Sequence, residues 1–115
     1  MLTSLDDSDL NKLGVRRNVV DQVLRLAALA LSSGCKGVVA SAHEASALRQ
    51  ELGRDFTIVT PGVRPAGSGH ADQARVVTPG EAVASGATYI VVGRPITEAA
   101  DPAAEARAIL SQITG

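Results

Sequence analysis

The chain is poor in aromatic residues and in lysine. Tyr89 and Phe56 are its only aromatic side chains and tryptophan is absent, so it has no platform on which successive bases would stack. Two lysines and nine arginines face twelve acids, a net charge of -1, which leaves no basic field to hold a nucleic-acid backbone. Nucleic-acid binding is excluded on both counts. The single cysteine, Cys35, has no partner for an internal disulfide, which fits a reducing compartment; a small, buried or partly buried thiol is expected there. The apolar run Leu24 to Leu31 falls far short of the roughly 20 residues that a bilayer requires, and Arg25 interrupts it, so no membrane partner is expected. Met1 to Asp7 has neither a basic leader nor a cleavable apolar core, and the expected address is cytoplasmic.

What is present is a repeating unit. With 115 residues, 45% of them hydrophobic, the chain fits one small domain spanning residues 1–115. Gly37 to Ser41, Phe56 to Thr60 and Tyr89 to Gly93 are short runs with little alternation and many β-branched residues, the pattern of strands buried on both faces of a parallel sheet. Helical patterns lie between and after them: Asn18 to Ser33, with Val20, Val23, Leu24, Ala27 and Leu31 on one face; Glu44 to Leu52, bounded by Gly53; and Pro79 to Ser85, bounded by Gly86. A last helix, Asp101 to Ile113, opens on Asp101-Pro102 as cap and first turn. Asp6-Asp7-Ser8-Asp9 reads as charge at a helix N-terminus, with Lys12 on the surface of that helix. Met1 to Ser4 sits where a first strand would begin, and counting it gives four strand-then-helix units. Such alternation implies a parallel sheet with right-handed crossovers, either open and doubly wound or part of a barrel. An eight-fold barrel takes about 250 residues, so in the barrel case the chain is the length of about half of one.

The candidate site lies at the ends of two of these strands. Thr60-Pro61-Gly62-Val63-Arg64-Pro65, Asp72-Gln73-Ala74-Arg75 and Val91-Val92-Gly93-Arg94-Pro95 bring together arginines, an amide side chain and a glycine amide, groups that suit an anionic phosphate. Arg94 offers a fork of donors, Gly93 admits close backbone approach, and Gln73 has both a donor and an acceptor. The loop from Pro61 to Thr78 is rich in proline and glycine and long enough to be functional. Arg75 and Arg107 read as solvated. His43 follows a strand and faces the site in this reading, His70 faces solvent, and neither has a carboxylate at ligand spacing, so no metal is implied.

Taken in order, Leu2-Thr3-Ser4, Gly37-Val38-Val39-Ala40-Ser41-Ala42, Thr60 to Pro65, Asp72-Gln73 and Val91 to Ile96 resemble the C-terminal half of the orotidine 5'-phosphate decarboxylases. The likeness spans essentially the whole chain. It includes the nine-residue step from Arg64 to Gln73 and the twenty-residue step from Gln73 to Gly93. The resemblance implies a (β/α)8 barrel, of which this chain is a parallel (β/α)4 half. It also implies conversion of orotidylate to uridylate and carbon dioxide without metal or organic cofactor, in a homodimer with sites at the interface. By the same resemblance Gln73, Gly93 and Arg94 hold the nucleotide phosphate and Arg64 is the binding arginine of a loop over it. Pro61 lines the pocket near the reacting carboxylate, and Thr3 contacts the nucleotide.

One part of that pattern is missing. The family places a lysine and an Asp-x-Lys-x-x-Asp cluster on strands of its N-terminal half, whereas the only lysines here are Lys12 and Lys36, neither in that pattern. No catalytic residue is therefore expected in this chain, which would supply the phosphate side of a site whose chemistry comes from sequence outside it. A truncated gene product, a deliberately cut half-barrel and one part of a split enzyme all fit. A non-catalytic nucleotide-binding half-barrel and a self-assembling fragment are the alternatives. Half a barrel exposes strand edges and an apolar inner face, so the expected partner is the missing half or another copy of the chain.

Overall fold

The computed structural model describes residues 5–65 and 77–114. Three strands, β1 (Gly37–Val39), β2 (Thr57–Thr60) and β3 (Tyr89–Ile90), form one parallel sheet in the order β1-β2-β3. Six helices accompany them: α1 (Asp7–Lys12), α2 (Val19–Ser32), α3 (Ala42–Leu52), α4 (Pro79–Ala84), α5 (Arg94–Thr97) and α6 (Pro102–Thr114). The expected strand over Met1 to Ser4 lies outside the described residues. Each of the other expected strands and helices is present, the strands and most helices with trimmed ends; α3 starts two residues earlier than expected, α6 runs one residue further, and the short α5 is an addition.

The helix boundaries follow from their caps. Asp6 accepts from the Asp9 amide while Asp9 reaches back to the Asp6 amide, closing a capping box at α1. The acidic run is thus helix N-terminal charge, and the Asp9 amide in particular holds the Asp6 carboxyl below its ordinary range. Asn18, Thr78 and Asp101 cap α2, α4 and α6 with their side-chain oxygens, and Pro79 and Pro102 occupy first turns. Cys35 closes the end of α2 by donating its amide to the Ala30 carbonyl, 3.1 Å away. That position, in the turn between α2 and β1, leaves the thiol exposed, contrary to the burial expected from residue type.

Two buried clusters hold the layers together. Leu10, Val19, Val23, Ala27, Ala45, Leu48, Phe56 and Ile58 join α1, α2 and α3 to β2, while Ala42, Val63, Ala82 and Ala87 join the start of α3 to α4 and the segment after β2. The buried stripe of α2 is Val19, Val23 and Ala27, and Val20, placed on that stripe by periodicity, is instead exposed.

The sheet is covered on one face only, which corrects the expectation of strands buried on both. Along β2, Ile58 and Thr60 are buried and Thr57 and Val59 are half-buried. The register pairs Val39 with Val59 and Val59 with Tyr89, so these three share the other face, where Val39 is 61% and Tyr89 64% exposed. The apolar runs were written for a layer that the described chain does not itself provide. The dimensions agree: at 43 × 33 × 19 Å and a radius of gyration of 15.0 Å, the chain is a slab, wider than the ~13 Å of a compact domain of this length.

Arg49 on α3 ties the N-terminal end of the sheet. Its guanidinium donates to the Phe56 carbonyl at 2.6 Å, twice to the Gly86 carbonyl at 3.0 and 2.9 Å, and to Thr88 Oγ1 at 3.0 Å, and it lies 4.8 Å from the centre of the Phe56 ring. Thr88 Oγ1 in turn accepts from the Ile58 amide. Gly86 permits this because its φ of +115° disfavours other residues and because a Cβ there would meet Arg49 Cγ at 2.8 Å. Charge-assisted bonds of this kind contribute about 1.5–3 kcal/mol each when single partners are removed. Arg49→Ala is expected to destabilise the chain by about 3 kcal/mol in urea unfolding, and Arg49→Lys to recover less than half, because a point charge cannot serve three acceptors in one plane.

Candidate anion site at the strand ends

Parallel strands deliver all of their C-terminal ends to the same edge of the layer, and the site is built there. The ladder between β2 and β3 is extended by the Val91 amide, which donates to the Thr60 carbonyl at 2.8 Å. That bond sets Val91-Val92-Gly93 beside Pro61-Gly62. Gly62, at φ +76°, turns the chain away from the strand, a conformation costly for a residue with a Cβ. The Arg64 amide then donates to the Val77 carbonyl at 2.9 Å, and Val63 pairs with Val77 as an isolated parallel bridge. On the β3 side Gly93 caps α5, its carbonyl accepting from Ile96 and Thr97.

Between these segments lies a cavity of about 260 Å³ lined by Pro61, Gly62, Val63, Arg64, Val91, Gly93, Arg94 and Pro95. Four of the six residues singled out from sequence, Pro61, Arg64, Gly93 and Arg94, are thus brought together. Thr3 and Gln73 lie outside the described residues, as do His70 and Arg75. The two arginines differ: Arg64 is buried, 9% exposed, and Arg94 is exposed. A Cβ built on Gly93 would meet no atom within 4 Å, so the space above this backbone is open. Two cations and an accessible backbone around a concave space of this size suit a compact anion.

Three polar residues of this end were not singled out from sequence. Ser41, Glu44 and Thr60 are buried, at 1%, 0% and 0% exposure, and the Ser41 hydroxyl donates to Glu44 Oε2. Thr60 Oγ1 has no hydrogen-bond partner among the described residues. The available signal was the Ser-x-x-Glu spacing directly after a strand. His43 is the second residue of α3 and exposed, outside the cavity lining. Lys36, before β1, lies at the opposite end of the sheet, and Lys12 on α1; both are exposed.

Residues 1–109 match the family model described as orotidine 5'-phosphate decarboxylase / HUMPS family. The chain belongs to this family. It is 58% identical over 115 residues to the orotidine 5'-phosphate decarboxylase of Rhodospirillum rubrum, covering 100% of this chain and 47% of that protein. It is 52% identical over 113 residues to that of Idiomarina loihiensis, covering 98% and 49%. Among solved structures, the orotidine 5'-phosphate decarboxylase of Lactobacillus acidophilus superimposes with a TM-score of 0.78 at 40% identity, covering 99% of this chain and 48% of that one. The chain therefore spans about half the length of the curated relatives it matches, and its parallel layer is part of the family's (β/α) barrel.

Gly62→Ala is expected to cost about 1–2 kcal/mol, read as a lowered urea midpoint with an unchanged slope, because the turn that launches Arg64 needs a positive φ. An unchanged midpoint would show that the segment after β2 turns without it.

Proposed function

We propose that this chain supplies the phosphate-binding side of an orotidine 5'-phosphate decarboxylase, which converts orotidylate to uridylate and carbon dioxide. The observation that carries the reading is the convergence of Arg64 with Gly93-Arg94 around one cavity, through the Val91 to Thr60 bond. In this reading the Arg94 guanidinium and the Gly93 backbone take the phosphate oxygens. Arg64 adds a second, fixed charge, Pro61 borders the pocket toward the reacting carboxylate, and Gln73 and Thr3 complete the nucleotide contacts. Binding energy gathered at the phosphate, away from the reacting carbon, is used to position the pyrimidine and so lowers the barrier. In this reading the charged groups that act on the bond between the ring carbon and the carboxylate are not Lys12 or Lys36, neither of which lines the cavity.

Turnover of orotidylate by the protein expressed from its complete gene tests the reading. Arg94→Ala should lower kcat/KM by about 10²-fold or more, and Gly93→Ala should weaken uridylate binding about tenfold while changing stability by less than about 0.5 kcal/mol. No turnover, or turnover indifferent to both substitutions, would dismiss the assignment.

The exposed face of Val39, Tyr89 and Val91, together with two strand edges that have no neighbour among the described residues, also supports an assembly reading. We infer that this face is covered in solution, by the rest of the barrel or by a second copy. Sedimentation of the isolated chain is expected to show self-association at micromolar concentration, and a compact monomer throughout would count against it.

A further inference from the structure

We propose that Glu44, oriented by Ser41, is a positioning residue for Arg64: its buried carboxylate holds the guanidinium at the wall of the anion cavity. The proposal rests on the phosphate-binding reading above and adds to it a residue that does not line the cavity.

The first observation is a contrast between two helix starts with the same pattern. At α4, Thr78 and Glu81 form a reciprocal capping box, in which Glu81 accepts from the Thr78 amide at 3.1 Å and Thr78 Oγ1 accepts from the Glu81 amide at 3.3 Å. At α3 the same spacing, Ser41 to Glu44, makes no side-chain cap bond. The Ser41 hydroxyl instead donates to Glu44 Oε2, and the carboxylate is wholly buried. Capping thus does not account for Glu44.

The second is a matter of charge. A carboxylate taken out of water costs several kcal/mol unless a cation and hydrogen bonds compensate. Among the described lysines and arginines, Arg64 is the one that is buried. Arg49, partly buried, is engaged with Phe56, Gly86 and Thr88 at the other end of the sheet. The remaining described cations are exposed. The buried acid and the buried base also belong to adjoining segments. The Ala40 amide donates to the Val59 carbonyl at 3.0 Å, carrying the β1–β2 ladder up to the start of both, and Ala42 and Val63 share one buried cluster. Ser41, Glu44, Thr60 and Arg64 make up the buried polar and charged side chains among the described residues, and all four stand at this end of the sheet.

The consequence is pre-organisation. The Arg64 backbone is fixed by its bond to Val77, and a carboxylate behind the guanidinium fixes the side chain as well, so less freedom is lost when an anion arrives.

The test is calorimetric binding of uridylate and of uridine to the protein expressed from its complete gene. Glu44→Gln is expected to weaken uridylate about tenfold and to leave uridine within about twofold. In an Arg64→Ala background the same substitution is expected to add less than about twofold, since the two residues act as one unit. Ser41→Ala keeps both charges and should weaken uridylate in the same sense by a smaller factor, so it serves where Glu44→Gln does not fold. Equal losses for uridine and uridylate, or additive effects of Glu44→Gln and Arg64→Ala, would overturn the proposal while leaving the phosphate site standing. A parent protein that binds no uridylate would overturn the phosphate reading and this proposal with it.

Discussion

Both sides of the site depend on strand β2, which pairs in parallel with a neighbour on either side. Parallel pairing sends the segments after all three strands out of the same edge, and the Thr60 carbonyl at the end of β2 receives the Val91 amide that brings the glycine-arginine segment alongside. At the opposite end Arg49 gathers the Phe56 and Gly86 carbonyls and Thr88, fixing where β2 and β3 begin. One end is thereby tied by a side chain of α3, and the other opens into the cavity between the Pro61 and Gly93 segments.

Much of this was legible in the residues. The β-branched runs mark the strands, and the Asp101 cap marks where the last helix starts. Boundaries were less so: Tyr89 to Gly93 reads as one strand, but pairing stops at Ile90 and Gly93 already caps α5. Runs such as Gly37 to Ser41 reflect the environment of a closed barrel, and so they overstate the burial of Val39 and Tyr89 in this chain. Cys35 was misjudged because residue type gave no information on its place in a turn. Of the cavity lining, Pro61, Arg64, Gly93 and Arg94 were named from the sequence. The burial of Arg64 was not legible, and neither was that of Glu44, because Ser-x-x-Glu and Thr-x-x-Glu look alike until the side chains are placed.

The two arginines of the cavity differ in physical character. Arg64 is buried, with its backbone amide bonded to Val77, whereas Arg94 stands exposed at the start of a four-residue helix. The same cavity is thus lined by one cation withdrawn from solvent and one in contact with it.

The bridge between Val63 and Val77 has a further bearing on the chain between them. It joins the two ends of that segment independently of what the segment contains, and the entropy of closing a loop grows only logarithmically with its length. The position from which Arg64 departs is therefore set by the bridge itself, between the end of β2 and the residue that leads into Thr78 and α4.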